Sequence, residues 1–297
     1  MFEKNVKKDT EQIMRKKRES MFIITMRRLR KSKTAVAGLI ILLVLILIGL
    51  LSSVLAPYPF EETDLYNTFG TPSLAHPFGT DELGRDILSR LMVGTKHSLR
   101  IGLLSVLYSS VIGITVGCIS GYYGGKVDGI LMRIMDVFSA IPALVLAIAI
   151  CAVLGPGINN CIISIAISGT PQFVRMARAS VLNVRRMEYL EAATSINCNT
   201  AQIIAKHILP NILAPLIVLM TMSVANNILT ASQLSFIGLG VQPPNPEWGA
   251  MLSAGRNYIR NYPHMVLFPG VTIMLAVLSL NMVGDGLRDA LDPKLKD

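Results

Sequence analysis

Long apolar segments alternate with short polar segments along most of this chain. The first, residues 34–56, has no charged side chain in 23 positions. As a helix it would be about 34 Å long at 1.5 Å per residue, enough to cross about 30 Å of hydrocarbon. An apolar run of this length behind an extended basic region is typical of a retained membrane span rather than of a cleaved signal peptide.

Five further apolar segments have the length of membrane spans. They cover residues 99–122, 134–154, 158–174, 212–237 and 265–283, and Gly- and Pro-rich turns separate several of them. Pro142 and Pro215 fall inside two of the segments and predict kinks, which membrane helices tolerate. The pattern therefore predicts an all-α membrane protein with six spans and with both termini on the same side.

Composition and charge agree with this prediction and orient it. The chain has 297 residues, of which 52% are hydrophobic and 16% charged, whereas soluble domains have about a quarter charged. Residues 1–33 carry twelve Lys or Arg and four Asp or Glu, while residues 57–86 are mainly acidic. The positive-inside rule then places both termini in the cytoplasm and makes nucleic acid an improbable partner of the basic arm.

The resulting organisation has five parts. These are a basic cytoplasmic arm (1–33), a first transmembrane helix (34–56), an external segment (57–98), a five-helix core (99–290) with a cytoplasmic loop (175–210), and a cytoplasmic tail (291–297).

The sequence contains no recognisable catalytic centre. HExxH, GxSxG and P-loop motifs do not occur, and the four cysteines have no metal-ligand spacing. A membrane-embedded enzyme is therefore disfavoured, and active transport would require ATP hydrolysis on another chain. Asn226 and Asn227 are the best candidates to line a polar pathway, because two adjacent amides in lipid are costly. The alternative is that they only join packed helices.

The loop between the fourth and fifth apolar segments has a helical pattern. Arg185 to Ile196 lack proline and glycine and predict a short helix, and Thr200 to Ile208 predict a second one before Pro210. Such a pair can dock a soluble partner, or it can be an amphipathic loop packed on its own bundle.

Three motifs resemble the permease subunits of bacterial ABC importers. Glu188-Tyr189-Leu190-Glu191-Ala192-Ala193, followed by Asn197 and His207-Ile208-Leu209-Pro210, is similar to the EAA loop of that family. His76 to Asp86 and Leu234 to Pro244 resemble segments of its peptide and nickel class. The second of the two permeases in dipeptide and oligopeptide systems, the C-type subunit, is the most similar.

This resemblance implies a type I importer fold and a set of site residues. The coupling helix would contact an ATPase through Glu188, Tyr189, Glu191, Ala192, Ala193 and Asn197. The family usually has glycine at Asn197, so a positive φ is expected there. Glu61, Glu62 and Asp64 are candidate contacts for a binding protein. The charged residues at the inner edge of this segment either lie near that protein or cap the next helix; they are Asp81, Glu82, Arg85 and Asp86.

The resemblance also implies partners and a substrate class. The partners would be a homologous second permease, two ABC ATPases that use ATP and Mg²⁺, an external solute-binding protein and the lipid bilayer of a bacterial plasma membrane. No cofactor is expected on this chain. Di- or oligopeptides are the expected substrates, with nickel or a metal chelate as the alternative. A stand-alone channel or secondary transporter would leave the docking helix unexplained.

Overall fold

A computed structural model describes residues 21–185, 187, 190 and 198–291. These residues form ten helices, which confirms the predicted all-α class. They are α1 Met21–Leu29, α2 Lys33–Leu50, α3 Ser52–Leu55, α4 Ile87–Tyr123, α5 Gly125–Ser139, α6 Ala143–Leu154, α7 Ile158–Val184, α8 Thr200–Phe236, α9 Trp248–Gly255 and α10 His264–Leu291. Short 3₁₀ turns at Leu65–Asn67 and Arg256–Tyr258 complete the described structure.

The number of spans differs from the six that the apolar pattern predicts. Within the described ranges, α2, α4, α8 and α10 are long and apolar enough to cross a membrane, and the bent pair α5–α6 brings the number to five. The predicted fourth span corresponds to α7, which is long enough but is not among them. Its second half carries Gln172, Arg175 and Arg178, so its composition is mixed. The count of six is therefore not confirmed.

The predicted third span, 134–154, is not one helix. The chain leaves α5 at Ser139 and enters α6 at Ala143, and the two axes differ by 83°. Pro142 is the residue before α6, and its ring nitrogen has no hydrogen to continue the helical bonding. The kink expected at Pro142 is confirmed, but it is sharp enough to divide the segment in two.

Helix α4 begins twelve residues before the predicted start of the second span at 99. The Asp86 carboxylate caps it by accepting a hydrogen bond from the Ser89 amide at 2.7 Å, which satisfies a free amide of the first turn. Helix α7 likewise continues to Val184, ten residues beyond the predicted end at 174. Both extensions carry polar residues that an apolar pattern cannot include.

The predicted break between a short helix at 200–208 and the fifth span is wrong. Helix α8 runs continuously from Thr200 to Phe236, with a π-helical turn at Ile203–Ile208. The Leu209 amide bonds to the Ile204 carbonyl, five residues back. Pro210 then lies in the first turn of the α-helical part, where its missing N–H costs little.

The most extensive packing joins α4 to α7. Gly113, Gly117 and Gly121 form a ridge at four-residue spacing on α4, which we call the glycine ridge. A Cβ on Gly117 would lie 2.6 Å from the Ala177 Cβ and 2.6 Å from the Val174 carbonyl oxygen. The backbones approach this closely because glycine has no side chain, as in small-residue contacts between membrane helices.

Candidate functional site

A cavity of about 430 Å³ opens where α5, α6, α7 and α8 meet. The break between α5 and α6 supplies one wall, and the middle of α7 and the second half of α8 supply the others. Its lining combines apolar side chains with amides, hydroxyls and a guanidinium. The polar lining residues are Ser139, Ser168, Gln172, Arg175, Asn226, Asn227 and Thr230.

Part of the cavity lining falls near the middle of two predicted spans, 212–237 and 134–154. Asn226 precedes the end of α8 at Phe236 by ten residues, and Ala143 precedes the end of α6 at Leu154 by eleven. At 1.5 Å per residue both are about 15 Å from those helix ends, half of about 30 Å of hydrocarbon. Polar groups at this depth are costly unless they line a wet space or bond to each other.

The structure gives the two predicted pathway amides different surroundings. Both line the cavity. The Asn227 Nδ2 donates to the Ser105 hydroxyl of α4 at 2.9 Å, so this amide also joins two helices. Asn226 is exposed. The helix-packing alternative therefore applies to Asn227, pathway lining stays a prediction for both amides, and Asn226 is the freer of the two.

Two ion pairs connect α7 to α5, and sequence reasoning missed both. Arg178 holds Asp128 with two hydrogen bonds of 2.5 and 2.6 Å, and the Ser120 hydroxyl also donates to that carboxylate. At the cavity, the Arg175 Nη2 donates to the Asp136 Oδ1 at 2.9 Å. The sequence shows two arginines, Arg175 and Arg178, three residues apart on α7, so both face the same side of the helix. It does not show which acidic residues lie opposite them.

The predicted ATPase-coupling residues Glu188, Tyr189, Glu191, Ala192, Ala193 and Asn197 lie outside the described residues. Leu190, in the middle of this motif, is described and is 5% exposed. It packs in a cluster with Cys118 of α4, Val181 and Val184 of α7, and Ile203 and Ile208 of α8. Leu190 is therefore buried in a cluster to which three helices contribute.

The predicted external segment folds back onto the start of α4. Asp81 accepts hydrogen bonds from the Arg85 Nε at 2.7 Å and from the Leu83 and Arg85 amides, and Arg90 lies 3.5 Å away. Asp86 caps α4 and also bonds to the His76 Nδ1 at 3.0 Å. These contacts favour the capping alternative for Asp81 and Asp86.

Glu61, Glu62 and Asp64 are exposed on the same segment. Asp64 also has a local structural role, because its carboxylate accepts a hydrogen bond from the Tyr66 amide at 3.1 Å. Glu61 and Glu62 are the acids of this group that a charge change would alter with least effect on the local fold.

Family models and relatives agree with this architecture. Residues 113–297 match the family described as binding-protein-dependent transport system inner membrane component. Residues 20–77 match the N-terminal TM domain of oligopeptide transport permease C. The dipeptide transport system permease protein DppC of Alkalihalophilus pseudofirmus is 47% identical over 91% of this chain and 89% of its own length. The glutathione transport system permease protein GsiD of Pectobacterium atrosepticum is 45% identical over 91% and 90%.

Solved structures show the same fold at low identity. An inward-facing conformation of the MetNI methionine ABC transporter aligns with a TM-score of 0.57 and 19% identity, over 69% of this chain and 98% of that one. A crystal structure of an amino acid ABC transporter aligns with a TM-score of 0.53 and 13% identity, over 68% and 94%. Both the family match and the relatives lead to one conclusion: the chain belongs to the binding-protein-dependent family of inner membrane permeases, the transmembrane subunits of ABC importers.

Proposed function

We propose that this chain forms half of the pathway by which an ATP-driven bacterial importer moves di- or oligopeptides. The observation that carries this proposal is the cavity at the break between α5 and α6. The side-chain amides that line the cavity can form hydrogen bonds with the peptide groups of a substrate. The relatives named for dipeptide and glutathione transport support this substrate class. The nickel or metal-chelate alternative is disfavoured, since no cluster of three or more metal-binding side chains occurs within the described residues.

The proposal assigns the energy supply to partner chains. The sequence has no P-loop, so two ABC ATPases would bind ATP and Mg²⁺ and dock on the loop around Glu191. The attachment of Leu190 to α4, α7 and α8 supports this role, because a push on the loop would reach three helices at once. With the termini and this loop in the cytoplasm, segment 57–98 would face an external binding protein. The second half of the pathway would come from a homologous permease.

Replacing the freer amide of the cavity tests the pathway. We expect Asn226→Leu to lower ATP-dependent dipeptide uptake about ten-fold, because an unpaired peptide group in a desolvated site costs about 1–3 kcal/mol. Uptake of a labelled dipeptide would be measured in proteoliposomes that contain the complete transporter, with binding protein outside and ATP inside. Asn159→Leu, at the exposed outer end of α7 and away from the cavity, is the control. Failure of the wild-type complex to take up any peptide would contradict the proposed function.

Reversing the exposed acids tests the binding-protein surface. We expect Glu61→Lys combined with Glu62→Lys to weaken docking of the binding protein by about two- to ten-fold at low salt, since exposed pairs contribute about 0.2–1 kcal/mol each. The loss should fade at high ionic strength as screening increases. Affinity would be measured on the transporter in nanodiscs, with Asp285→Lys, an exposed acid of α10 near the opposite end of the bundle, as control. Unchanged affinity at low salt would remove these residues from the interface.

A further inference from the structure

One charged side chain is found among the described residues that line the cavity, the guanidinium of Arg175. It is 50% exposed, and its partner Asp136 is 66% exposed. The pair is joined by one hydrogen bond of 2.9 Å. A half-exposed pair with a single hydrogen bond is weak, because water already solvates both charges. It can therefore be exchanged for other ionic partners at little cost.

The neighbouring pair between the same helices has the opposite character. Asp128 and Arg178 are only 19% and 32% exposed, they share two hydrogen bonds, and Ser120 adds a third. This bidentate arrangement is the geometry in which an Arg–carboxylate pair is strongest. Asp128 and Arg178 therefore form the stronger of the two ionic contacts between α5 and α7. Loss of the weaker Arg175–Asp136 contact would leave the stronger one in place.

A short peptide carries the charges that would replace this pair. Its terminal carboxylate matches the planar donors of Arg175, and its terminal ammonium matches the carboxylate of Asp136. Between the two ends a peptide offers amide groups, and Gln172, Asn226 and Thr230 present complementary donors and acceptors in the same cavity. Contacts of this kind recognise the backbone and the termini of a peptide and do not select for its side chains.

We propose that the Arg175–Asp136 pair opens to receive a peptide zwitterion, with Arg175 binding the terminal carboxylate and Asp136 the terminal ammonium. This inference rests on the proposed function. It assigns to the permease a preference for free peptide ends that is separate from any selection by the binding protein. Arg175 borders the cavity just beyond the predicted fourth span, residues 158–174, and its half-exposed pairing with Asp136 leaves both charges within reach of water and of a substrate.

Binding to the purified complete transporter, without binding protein, tests the carboxylate contact. Equilibrium dialysis would use labelled dialanine and its C-terminal amide. The wild type should bind dialanine about ten-fold more tightly than the amide, as expected for one charge-assisted contact. Arg175→Gln should reduce this ratio to below about two-fold, whereas Arg178→Gln should keep it. Thermal unfolding of each complex would show that the variants are folded, and Arg133→Gln, on the exposed face of α5, replaces Arg178→Gln if the latter unfolds.

A second ligand separates exchange from a simple brace between helices. N-acetyl-dialanine keeps the carboxylate and lacks the ammonium. Asp136→Asn should bind it more tightly than the wild type, because Arg175 loses its competing partner, while Arg175→Gln should bind it more weakly. If the ion pair only braced α5 against α7, both substitutions would break it. Both variants would then change the affinity for N-acetyl-dialanine in the same direction. The inference would be overturned if both variants changed the affinity for N-acetyl-dialanine in the same direction. It would also be overturned if Arg175→Gln kept the wild-type preference for dialanine over its C-terminal amide. If wild-type proteoliposomes fail to take up dialanine at all, the proposed function fails instead.

Discussion

Gly117→Leu is expected to remove most of the folded protein from the membrane. The position has no free space, because a Cβ alone would lie 2.6 Å from both the Ala177 Cβ and the Val174 carbonyl oxygen. A leucine can be accommodated only if α4 and α7 separate along the glycine ridge, which would disrupt the most extensive helix contact of the bundle. Overpacking costs about 1–3 kcal/mol where a site can adjust, and because two of the three nearest atoms are backbone atoms of α7, which cannot move aside by a rotamer change, we expect a cost at or above that range.

The measurement is the yield of monodisperse protein and its thermal unfolding midpoint after extraction in mild detergent. Gly129→Leu is a matched control, since it is also a helical glycine and its Cβ would meet no atom within 4 Å. We expect a normal yield and midpoint for Gly129→Leu and a strongly reduced yield for Gly117→Leu. Equal midpoints for the two variants would show that close helix approach at Gly117 is not required.

Ala193→Trp and Glu191→Lys are each expected to abolish peptide uptake while ATP hydrolysis continues. Both residues lie outside the described structure, so the expectation comes from the proposed role of their loop. A helix that interlocks with an ATPase needs small residues at the contact. A tryptophan at Ala193 would overpack this contact, and so would a bulky side chain at Ala192. A lysine at Glu191 would place a cation where a carboxylate is held.

The two activities must be measured on the same preparation. ATP hydrolysis and labelled dipeptide uptake would be followed in proteoliposomes, with Ala193→Ser and Glu191→Gln as mild variants of the same positions. We expect uptake to fall by at least about 100-fold in the severe variants, equivalent to about 2.7 kcal/mol, and to fall far less in the mild ones. Full uptake by both severe variants would show that the loop does not couple the ATPases to the pathway.

The sequence predicted the helical class and the positions of most apolar segments, because lipid-facing surfaces need long apolar runs. It failed where polar residues continue a helix. Asp86 starts α4 far ahead of the apolar run, and Pro210 was read as a helix stop. Proline ends helices in general, but the π-helical turn before it in α8 removes the conflict. Local sequence does not reveal a π-helical turn, because the turn arises when backbone amides bond to the carbonyl five residues back instead of four.

The candidate site was only partly predictable for a different reason. Asn226 and Asn227 could be singled out because two amides in an apolar run are unusual. Arg175 and Asp136 were each visible as charges, but their pairing depends on how α5 lies against α7, and α5 leaves α6 at an angle of 83°. A proline at position 142 predicts that a bend exists and does not fix its angle. The ion pair, and with it the charged edge of the cavity, needed the three-dimensional structure.

The continuity of α8 joins the described end of the loop to the cavity through one uninterrupted helix, which contains a π-helical turn and two prolines. Helix α8 begins at Thr200, directly after Cys198 and Asn199, the last described residues of the loop. Further along the same helix, Asn226 borders the cavity. The 26 residues between them span about 39 Å at 1.5 Å per residue. A tilt of about 10° about one end would displace the other by about 7 Å over that length. A small change in the tilt of α8 near the loop would therefore move the Asn226 wall of the cavity by several ångströms.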